Sequence, residues 1–383
     1  MATLGSAIVG TGFIGPVHVE ALRRLGRPIV GILGSTPEKG HATAAALGIP
    51  RHYENFADLL AEAEVGVVHL ASPNRLHYEQ CRLAIAAGKH VICEKPLATR
   101  AAETEQLAAM AARSPVVTAA CYNVRFYPLC LEAKQRIARG ELGTVFHAIG
   151  SYAQDWLLYD TDFNWRVLTE EGGALRAVAD IGTHWLDLIT FITGLEAESL
   201  CADLHTFLPV RRRPKGSVET FQGKLDGPRE TEPVPISTED YGSVLLRFRG
   251  GATGSFTVSQ VTAGRKNCLR YEIAGSQAAL AWNSECPNEL WLGHRDRPNE
   301  LLLRDPALIT PEARRFSNYP GGHNEGFPDT FKQLFRAVYD YIEAKDWRAP
   351  RPFPTFEDGH REALICEAIL RSHREGRWVA VTQ

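Results

Sequence analysis

The sequence predicts an α/β protein in which a doubly wound parallel sheet precedes an α+β domain with a large, mostly antiparallel open sheet. Up to residue 95, continuous apolar segments alternate with helical segments, as in a parallel sheet buried on both faces. A glycine-rich turn directly follows the first apolar segment. From residue 145 onwards, alternating strands are separated by short glycine turns, which is typical of hairpins. We expect two domains, at residues 1–122 and 123–383.

The bulk composition is that of an ordinary globular protein. Of 383 residues, 44% are hydrophobic and 23% are charged, and the net charge is -3. This charge argues against a nucleic-acid partner, and no apolar run is long enough for a membrane span. The eight cysteines include no Cys-x-x-Cys pair, and no zinc-site spacing occurs. We therefore expect a reduced, cytoplasmic protein without a metal site, a signal peptide or a membrane partner.

The first strand, at residues 6–9, runs into a complete G-x-G-x-x-G motif. Gly10, Gly12 and Gly15 are its glycines, and Phe13 and Ile14 lie between the last two. The first glycine permits a tight turn, the second lets the backbone approach a pyrophosphate, and the third lets helix and strand pack closely. The following helix offers free N–H groups to the phosphates. A motif in this position predicts a Rossmann domain that binds a dinucleotide with these five residues.

The end of the second strand predicts which dinucleotide is bound. An acidic residue there would bond to the adenosine ribose of NAD and repel the 2′-phosphate of NADP. This chain instead has Ser35 and Thr36, followed by Lys39. Hydroxyl groups and a lysine can bind a phosphate, so the sequence favours NADP, although a neutral pocket also accepts NAD.

Two later strands end in loops with polar residues. The strand at residues 65–71 is followed by Ser72, Asn74 and His77, which we expect near the nicotinamide. An equal alternative for His77 is a helix residue without a ligand. The strand at residues 91–93 ends in Glu94 and Lys95 before a proline, which stops ladder pairing. Lys95 is therefore expected at the carboxyl end of a strand, where open α/β sheets bind ligands.

Asp180 and His184 are four residues apart, where residues 173–179 lead into an expected helix that runs to residue 189. Residues at this spacing share one face of an α-helix. A carboxylate beside an imidazole raises its basicity and orients its ring. The alternative is an N-capping aspartate and a buried histidine without a catalytic role.

These motifs, in this order, resemble those of the Gfo/Idh/MocA oxidoreductases, the family of glucose-fructose oxidoreductase and inositol dehydrogenase. The resemblance covers nearly the whole chain, at residues 10–15, 72–77, 87–90, 94–96, 123–126, 164–166, 172–175, 180–184 and 322–326. It implies that Asn123, Trp165 and Arg166 border the nicotinamide or the substrate, and that Arg125 contacts the substrate. His323, in a glycine-rich loop, is a further candidate for substrate binding, with an exposed loop histidine as the equal alternative.

The resemblance implies an NAD(P)-dependent oxidoreductase that acts on a secondary alcohol or ketone of a sugar, a sugar derivative or a cyclic polyol. His184 is the expected base, oriented by Asp180, and Lys95 polarises the same substrate oxygen or relays the proton. Glu94 holds the nicotinamide side, and Trp165 also faces the substrate. The family also implies a homodimer or homotetramer. The sugar, the carbon oxidised and the direction stay open.

Three alternatives remain beside a simple dehydrogenase. A redox-neutral enzyme with a tightly bound cofactor would oxidise a sugar, allow elimination or glycoside cleavage, and reduce it again with the same residues. An aldose oxidoreductase is the second alternative. A non-catalytic cofactor-binding sensor is the third, but it predicts a damaged catalytic set. Outside these motifs, residues 211–235 are expected to form a long loop in which the basic run at 211–215 is solvated.

Overall fold

The structure, a computed structural model, describes residues 4–216 and 230–382. Its first sheet is parallel, with the strand order β3-β2-β1-β4-β5-β6. The strands are β1 (Gly5–Val9), β2 (Ile29–Leu33), β3 (His52–Tyr53), β4 (Val65–Leu70), β5 (His90–Cys93) and β6 (Thr118–Ala120). The order reverses between β1 and β4, so a crevice opens at the carboxyl ends of these strands, where such sheets bind ligands.

Helices connect these strands and confirm the predicted doubly wound sheet. They are α1 (Ile14–Arg24), α2 (Pro37–Leu47), α3 (Phe56–Ala61), α4 (Asn74–Ala86) and α5 (Ala101–Arg113). Helix α4 begins directly after Pro73, a proline whose missing N–H costs little at a helix start. The end of β4 is therefore connected to α4 by a short loop.

The second sheet has nine strands and confirms the predicted, mostly antiparallel architecture. Its order is β16-β15-β14-β13-β7-β12-β11-β8-β17. Within this sheet, as far as the structure describes it, β7 and β12 form the one parallel pair. The strands are β7 (Val145–Ala153), β8 (Ala197–His205), β11 (Tyr241–Phe248), β12 (Thr253–Ser259), β13 (Cys268–Gly275), β14 (Ala279–Asn283), β15 (Glu289–Gly293), β16 (Glu300–Leu303) and β17 (Val379–Ala380). The predicted hairpins β11–β12 and β13–β14 are both present.

Helices cover one face of this second sheet. The helices α6 (Pro128–Ala138), α8 (Thr183–Thr193) and α11 (Phe356–Glu375) bury their apolar residues against it. The short helices α7 (Thr169–Gly172) and α9 (Pro311–Arg314) lie in connections. The opposite face keeps several large apolar side chains exposed.

The late helix α10 (Phe327–Ala344) packs with the first sheet rather than the second. Phe331 and Phe335 share a core cluster with Ile8, Val67 and Ile92 of that sheet. A segment from the end of the chain thus completes the core of the nucleotide-binding half. The domain limits at residues 122 and 123 stay a prediction. Among the described residues, no helix is long and apolar enough to cross a membrane.

The predicted loop at residues 211–235 was wrong at its two ends, and its middle, residues 217–229, lies outside the described residues. Here β9 (Val210–Pro214) and β10 (Thr231–Pro235) form an antiparallel pair. Arg211 is fully buried rather than solvated, whereas Arg212 and Arg213 are exposed as expected. Proline and charge suggested a loop, but an edge pair of strands tolerates both.

Candidate active site

The glycine motif lies between β1 and α1 and leaves room for a ligand. Gly10 has a φ of +124°, and a Cβ on it would lie 2.4 Å from the carbonyl oxygen of Ala71. A Cβ on Gly15 would lie 2.1 Å from the carbonyl oxygen of Gly10, so the third glycine allows the close helix–strand contact. A Cβ on Gly12 would meet nothing within 4 Å. The first turn of α1 carries no acidic residue, so this open space fits a pyrophosphate.

Phe13 and Ile14 complete the motif at the start of α1. Ile14 is the first residue of the helix, and its side chain packs against the core of the first sheet. Phe13 precedes it and is 45% exposed at the mouth of the crevice.

The loop after β2 exposes the three residues predicted to choose between NAD and NADP. Thr36 caps α2, because its hydroxyl oxygen accepts a hydrogen bond from the backbone N–H of Lys39 at 3.3 Å. Ser35 and the Lys39 side chain are exposed. Glu38 adds a negative charge to the same first turn, so the charge of Lys39 does not act alone there.

The loop after β4 connects the two halves of the molecule. Asn74 donates from Nδ2 to the carbonyl oxygen of Gly172 at 3.0 Å, and Arg75 pairs with Glu171 at 2.6 Å. Ser72 donates from its hydroxyl group to Gln80 at 2.6 Å. Asn74 therefore fixes the position of the second half beside the crevice.

His77 has a different role from the predicted nicotinamide contact. Its ring is fully buried, with Nδ1 2.8 Å from the carbonyl oxygen of Pro96 and Nε2 2.9 Å from that of Ser72. Both ring nitrogens face backbone carbonyl oxygens, and a neutral ring can donate to one of them, so neither nitrogen is turned towards a cofactor. It instead holds together the loops that follow β4 and β5.

Lys95 extends from the end of β5 towards the second half. Its ammonium group donates to the backbone carbonyl oxygen of Asp180 at 2.6 Å and to Oδ1 of the same residue at 3.0 Å. The structure thus brings together the two predicted catalytic residues that lie 85 positions apart in sequence. Both side chains keep a small exposed fraction, so the pair remains within reach of a ligand.

The Asp180 carboxylate is held from three directions. Gln260 donates to Oδ2 at 2.8 Å, and Arg166 Nε lies 3.4 Å from Oδ1, beside Lys95. Burial alone would raise the pKa of Asp180, but the charges of Lys95 and Arg166 outweigh it, and the pKa lies well below its ordinary value. Asp180 is therefore an anion that orients the lysine.

His184 lies in the first turn of α8 beside the same group. Its ring contacts those of Tyr122 and Tyr152, with centroids 5.8 and 6.2 Å away. Nδ1 is buried without a hydrogen-bond partner among the described residues. Burial and the positive charge of Lys95 lower the pKa of His184 to about 3, so the imidazole is neutral.

The structure corrects the predicted contact between Asp180 and His184. Among the described residues, the Asp180 carboxylate bonds to Lys95 and Gln260, and no hydrogen bond joins it to His184. The residues Val178–Gly182 form a turn of π-helix before α8 begins. A π-turn pairs residue i with i+5 and thus contains one more residue than an α-turn, so the i, i+4 alignment is lost. Asp180 consequently faces Lys95 rather than the histidine.

Asn123 and Arg125 lie in a 3-10 turn, Asn123–Phe126, which joins the two halves. Asn123 is buried and donates to the hydroxyl oxygen of Thr330 at 2.7 Å. Arg125 is also buried, makes a two-pronged ion pair with Asp187, and lies 3.1 Å from Asp358. Among the described contacts, Arg125 is not brought to the predicted substrate site, because its guanidinium group is committed to these carboxylates.

Trp165 and Arg166 lie together in the 3-10 turn Trp165–Val167. The guanidinium carbon of Arg166 sits 4.3 Å from the Trp165 ring, and Arg166 also faces Asp180. Both residues therefore border the cluster formed by Lys95, Asp180 and His184. His323 is not brought to it among the described contacts: it is exposed, and its Nδ1 lies 3.3 Å from the carbonyl oxygen of Gly321.

Glu94 is buried at the end of β5, where one carboxylate oxygen lies 3.2 Å from His18 Nε2 and the other accepts from the Lys95 backbone N–H at 3.3 Å. Three residues that were not predicted also border the site: His18, Gln260 and Tyr122. Gln260 follows β12, and no local sequence pattern marks it as a site residue. Its place at the site becomes visible only from its hydrogen bond to Asp180 in the folded protein. His18 follows the glycine motif by three residues, so it could have been inspected as a neighbour of the crevice.

Comparisons with known proteins agree with this geometry. Residues 4–122 match the family model described as oxidoreductase family, NAD-binding Rossmann fold, and residues 130–281 match the GFO/IDH/MocA C-terminal domain. A levoglucosan dehydrogenase of Pseudarthrobacter phenanthrenivorans is 28% identical, over 100% of this chain and 99% of that protein. A structure of levoglucosan dehydrogenase in complex with NADH and L-sorbose matches with a TM-score of 0.88 and 27% identity, over 100% of both chains. A structure of an inositol dehydrogenase homologue of Azotobacter vinelandii, in complex with NADH and myo-inositol, matches with a TM-score of 0.85 and 26% identity. The match covers 99% of this chain and 97% of that one.

Proposed function

Because the chain belongs to the Gfo/Idh/MocA family of NAD-binding oxidoreductases, we propose that it transfers a hydride between NAD(P) and a secondary alcohol or ketone of a sugar, a sugar derivative or a cyclic polyol. One observation carries this proposal: the Lys95 ammonium group, fixed by Asp180 at the carboxyl end of β5, lies beside a neutral His184. The sugars and polyols of the related dehydrogenases support the substrate class.

The residues divide the reaction between them. When bound, the nicotinamide supplies the hydride acceptor or donor. Lys95 donates a hydrogen bond to the reacting oxygen of the substrate, and Asp180 holds the ammonium group in place. His184 accepts the hydroxyl proton during oxidation: burial keeps its ring unprotonated and ready to accept, but the low pKa also makes it a weak base. Asp180 thus orients Lys95 in the revised proposal, rather than His184.

We propose that Gly10, Gly12, Phe13, Ile14 and Gly15 hold the pyrophosphate. The nicotinamide is bordered by Ser72, Asn74, Glu94, Lys95, Asn123, Trp165 and Arg166. Trp165 also faces the substrate, and His323 would reach it only through its exposed loop.

The preference for NADP over NAD is a finer proposal. Ser35 and Lys39 are exposed at the end of β2 and support binding of a 2′-phosphate. Glu38, in the same turn, opposes it through its charge. Related structures contain NADH, so a mixed preference is compatible with the family.

We propose that a second copy of the chain covers the open face of the nine-stranded sheet. Ile149, Leu245, Leu301 and Leu303 are each between 40% and 55% exposed there. A groove of about 650 Å³ runs over the same face, between β7 and β16. Exposed large apolar side chains on an open sheet face are typical of a protein interface, which supports a homodimer or homotetramer.

The experiment is a binding titration of the purified protein with NAD(H) and NADP(H), followed by a sugar and polyol screen read at the NAD(P)H absorbance. We expect saturable binding and reduction of added NAD(P)⁺ by at least one sugar or polyol. Absence of dinucleotide binding would refute the proposal. Tight binding without net reduction across a broad panel would instead favour the redox-neutral alternative, which is then tested by analysing the sugar for cleavage or rearrangement.

A further inference from the structure

A chain of buried polar side chains runs from the end of β5 to helix α10. Glu94 Oε1 lies 3.2 Å from His18 Nε2, and His18 Nδ1 lies 3.1 Å from His69 Nδ1. His69 Nε2 lies 3.0 Å from the Tyr339 hydroxyl, which lies 2.6 Å from that of Ser6. Ser6, His18, His69 and Tyr339 are fully buried. The four elements β1, α1, β4 and α10 thus each contribute one side chain to a continuous chain of polar contacts that ends at Glu94.

The carboxylate at one end sets the direction of the hydrogen bonds. An ionised Glu94 can only accept, so His18 must be protonated on Nε2. If the His18 ring carries only this proton, its Nδ1 accepts, which requires a proton on His69 Nδ1. His69 Nε2 in turn accepts from the Tyr339 hydroxyl, and Tyr339 accepts from Ser6. All the donors therefore point towards Glu94, and each group is satisfied with neutral histidines.

Two observations favour this proton count. Burial and the nearby His18 hold the pKa of His69 well below its ordinary value, so His69 is neutral. Burial alone would raise the pKa of Glu94, but the hydrogen bond from His18 and the charge of Lys95 oppose it, and the pKa is lowered, which agrees with an ionised Glu94. Three further titratable groups lie near Glu94: Cys93 and Cys121 are buried thiols whose pKa is raised, and burial lowers the pKa of His77, so all three stay neutral.

The chain is unsuited to two other roles. Its far end, Ser6, is buried, so the described residues provide no exit for a proton. His18, Glu94 and Cys121 are also close enough together to hold a metal ion. A metal would need an unprotonated His18 Nε2 and would therefore reverse every hydrogen bond in the chain.

We propose that Ser6, Tyr339, His69 and His18 are positioning residues that hold Glu94 as an oriented anion, and that this anion favours the oxidised over the reduced dinucleotide. The oxidised nicotinamide carries a positive charge, whereas the reduced ring is neutral, so a fixed negative charge distinguishes them. The inference rests on the proposed function, in which Glu94 borders the nicotinamide.

The test measures the dissociation constants of NAD⁺ and NADH for four variants. His18→Leu should raise the ratio of the NAD⁺ to the NADH constant about tenfold, because a hydrogen bond to a charged group is lost. Tyr339→Phe, at the far end, should raise it about threefold. His18→Gln, whose amide can donate to Glu94 and accept from His69, should restore most of the wild-type ratio. Tyr341→Phe removes another buried hydroxyl of α10, which bonds to the Ala349 carbonyl oxygen, and should leave the ratio unchanged.

Nitrogen-15 shifts of the imidazoles provide a readout that needs no cofactor. We expect His18 protonated on Nε2 and His69 on Nδ1. The reverse tautomers, or a bound metal that a chelator removes with a change in these shifts, would overturn the proposal. So would equal weakening of NAD⁺ and NADH by His18→Leu and Tyr339→Phe. If His18→Leu does not fold, the comparison of Tyr339→Phe with Tyr341→Phe decides. A wild-type protein that binds neither dinucleotide would refute the proposed function while the tautomers still test the chain.

Discussion

At the scale of single residues, the candidate site depends on a lysine whose position is set from outside its own domain. Lys95→Ala should reduce turnover below detection but leave dinucleotide binding within about twofold, since its ammonium group contacts Asp180 rather than the glycine motif. The measurement is steady-state turnover on the substrate found in the screen, with binding by titration. Lys266→Ala is a control, because that side chain is 78% exposed. Retained turnover in Lys95→Ala would remove Lys95 from the mechanism.

His184 provides the second prediction at this scale. His184→Ala should lower kcat by about 10²-fold or more, the usual contribution of a general base. Because the pKa of His184 is lowered to about 3, it stays unprotonated through neutral pH and should contribute no step near pH 6.5 to the wild-type pH–rate profile. A wild-type step near 6.5 that disappears in His184→Ala would contradict the neutral assignment, and an unchanged kcat would contradict the base.

Sequence and structure agree that Lys95, Asp180 and His184 meet at the site, but they differ in how these residues contact one another. The end of β5 and the Asp180 segment were predicted to face each other, and Lys95 and Asp180 do. The roles of His77 and Arg125 could not be derived, because their partners, the Pro96 carbonyl oxygen and Asp187, are chosen by tertiary packing. A polar residue near a site looks the same in sequence whether its atoms are free or bonded to the protein.

At the scale of elements, the β9–β10 pair is fastened to the body of the protein by Arg211. Its guanidinium group donates to the carbonyl oxygens of Leu157, Tyr159 and Asp162, and it shares Asp240 with the buried Arg176. One side chain thus ties a strand to the loop that precedes the Trp165 turn. The hairpin and that loop should therefore lose order together.

Arg211→Met should destabilise the protein by roughly 3–5 kcal/mol, because it leaves one buried and two partly buried carbonyl oxygens and a shared carboxylate poorly paired. Arg212→Met is the matched control, because the Arg212 side chain is next to Arg211 in sequence but 61% exposed. The free energy of unfolding should change by no more than about 0.5 kcal/mol. Urea unfolding midpoints of the two variants test this. Equal midpoints would show that the buried arginine contributes no more than the exposed one.

The same hairpin shows what local patterns miss. The parallel strands and the hairpins β11–β12 and β13–β14 were predictable, because apolar periodicity and glycine turns act within a few residues. Strands β9 and β10 contain proline and charge and gain their order from pairing with each other and from Arg211. The π-turn at Val178–Gly182 was also missed, since one additional residue in a helical turn leaves no mark on periodicity.

At the scale of the whole molecule, the exposed face of the nine-stranded sheet predicts self-association. Leu301→Asp should shift the protein towards the monomer, because an interface would have to bury the new carboxylate. Leu308→Asp is the control, since Leu308 is 64% exposed but lies outside the strands. Sedimentation velocity over a range of concentrations measures both. A wild-type monomer, or an oligomer that Leu301→Asp leaves intact, would show that this face is not the interface.

The molecule as a whole should lose stability on mild acidification, because it buries several neutral histidines. Burial lowers the pKa of His69 and the pKa of His77 below their ordinary value. It lowers the pKa of His90 to about 4 and the pKa of His184 to about 3. Between pH 6.5 and these values the unfolded chain binds a proton that the folded one does not. Stability is therefore greatest above 6.5 and falls as the pH is lowered, by up to about 1.4 kcal/mol per pH unit for each such histidine.

Urea midpoints at pH 7.5, 6.5, 5.5 and 4.5 should thus fall before the carboxylates with lowered pKa, such as Asp180, begin to be protonated. His90→Asn should make the dependence shallower, because the amide oxygen can still accept from the Val117 N–H, which now bonds to His90 Nδ1 at 2.8 Å, but cannot be protonated in this range. Constant midpoints from pH 7.5 to 5.5 would mean that these histidines take up protons in the folded protein as readily as in the unfolded chain. The buried polar chain and the neutral His184 would then both lose their physical basis, so this measurement bears on the site as well as on the fold.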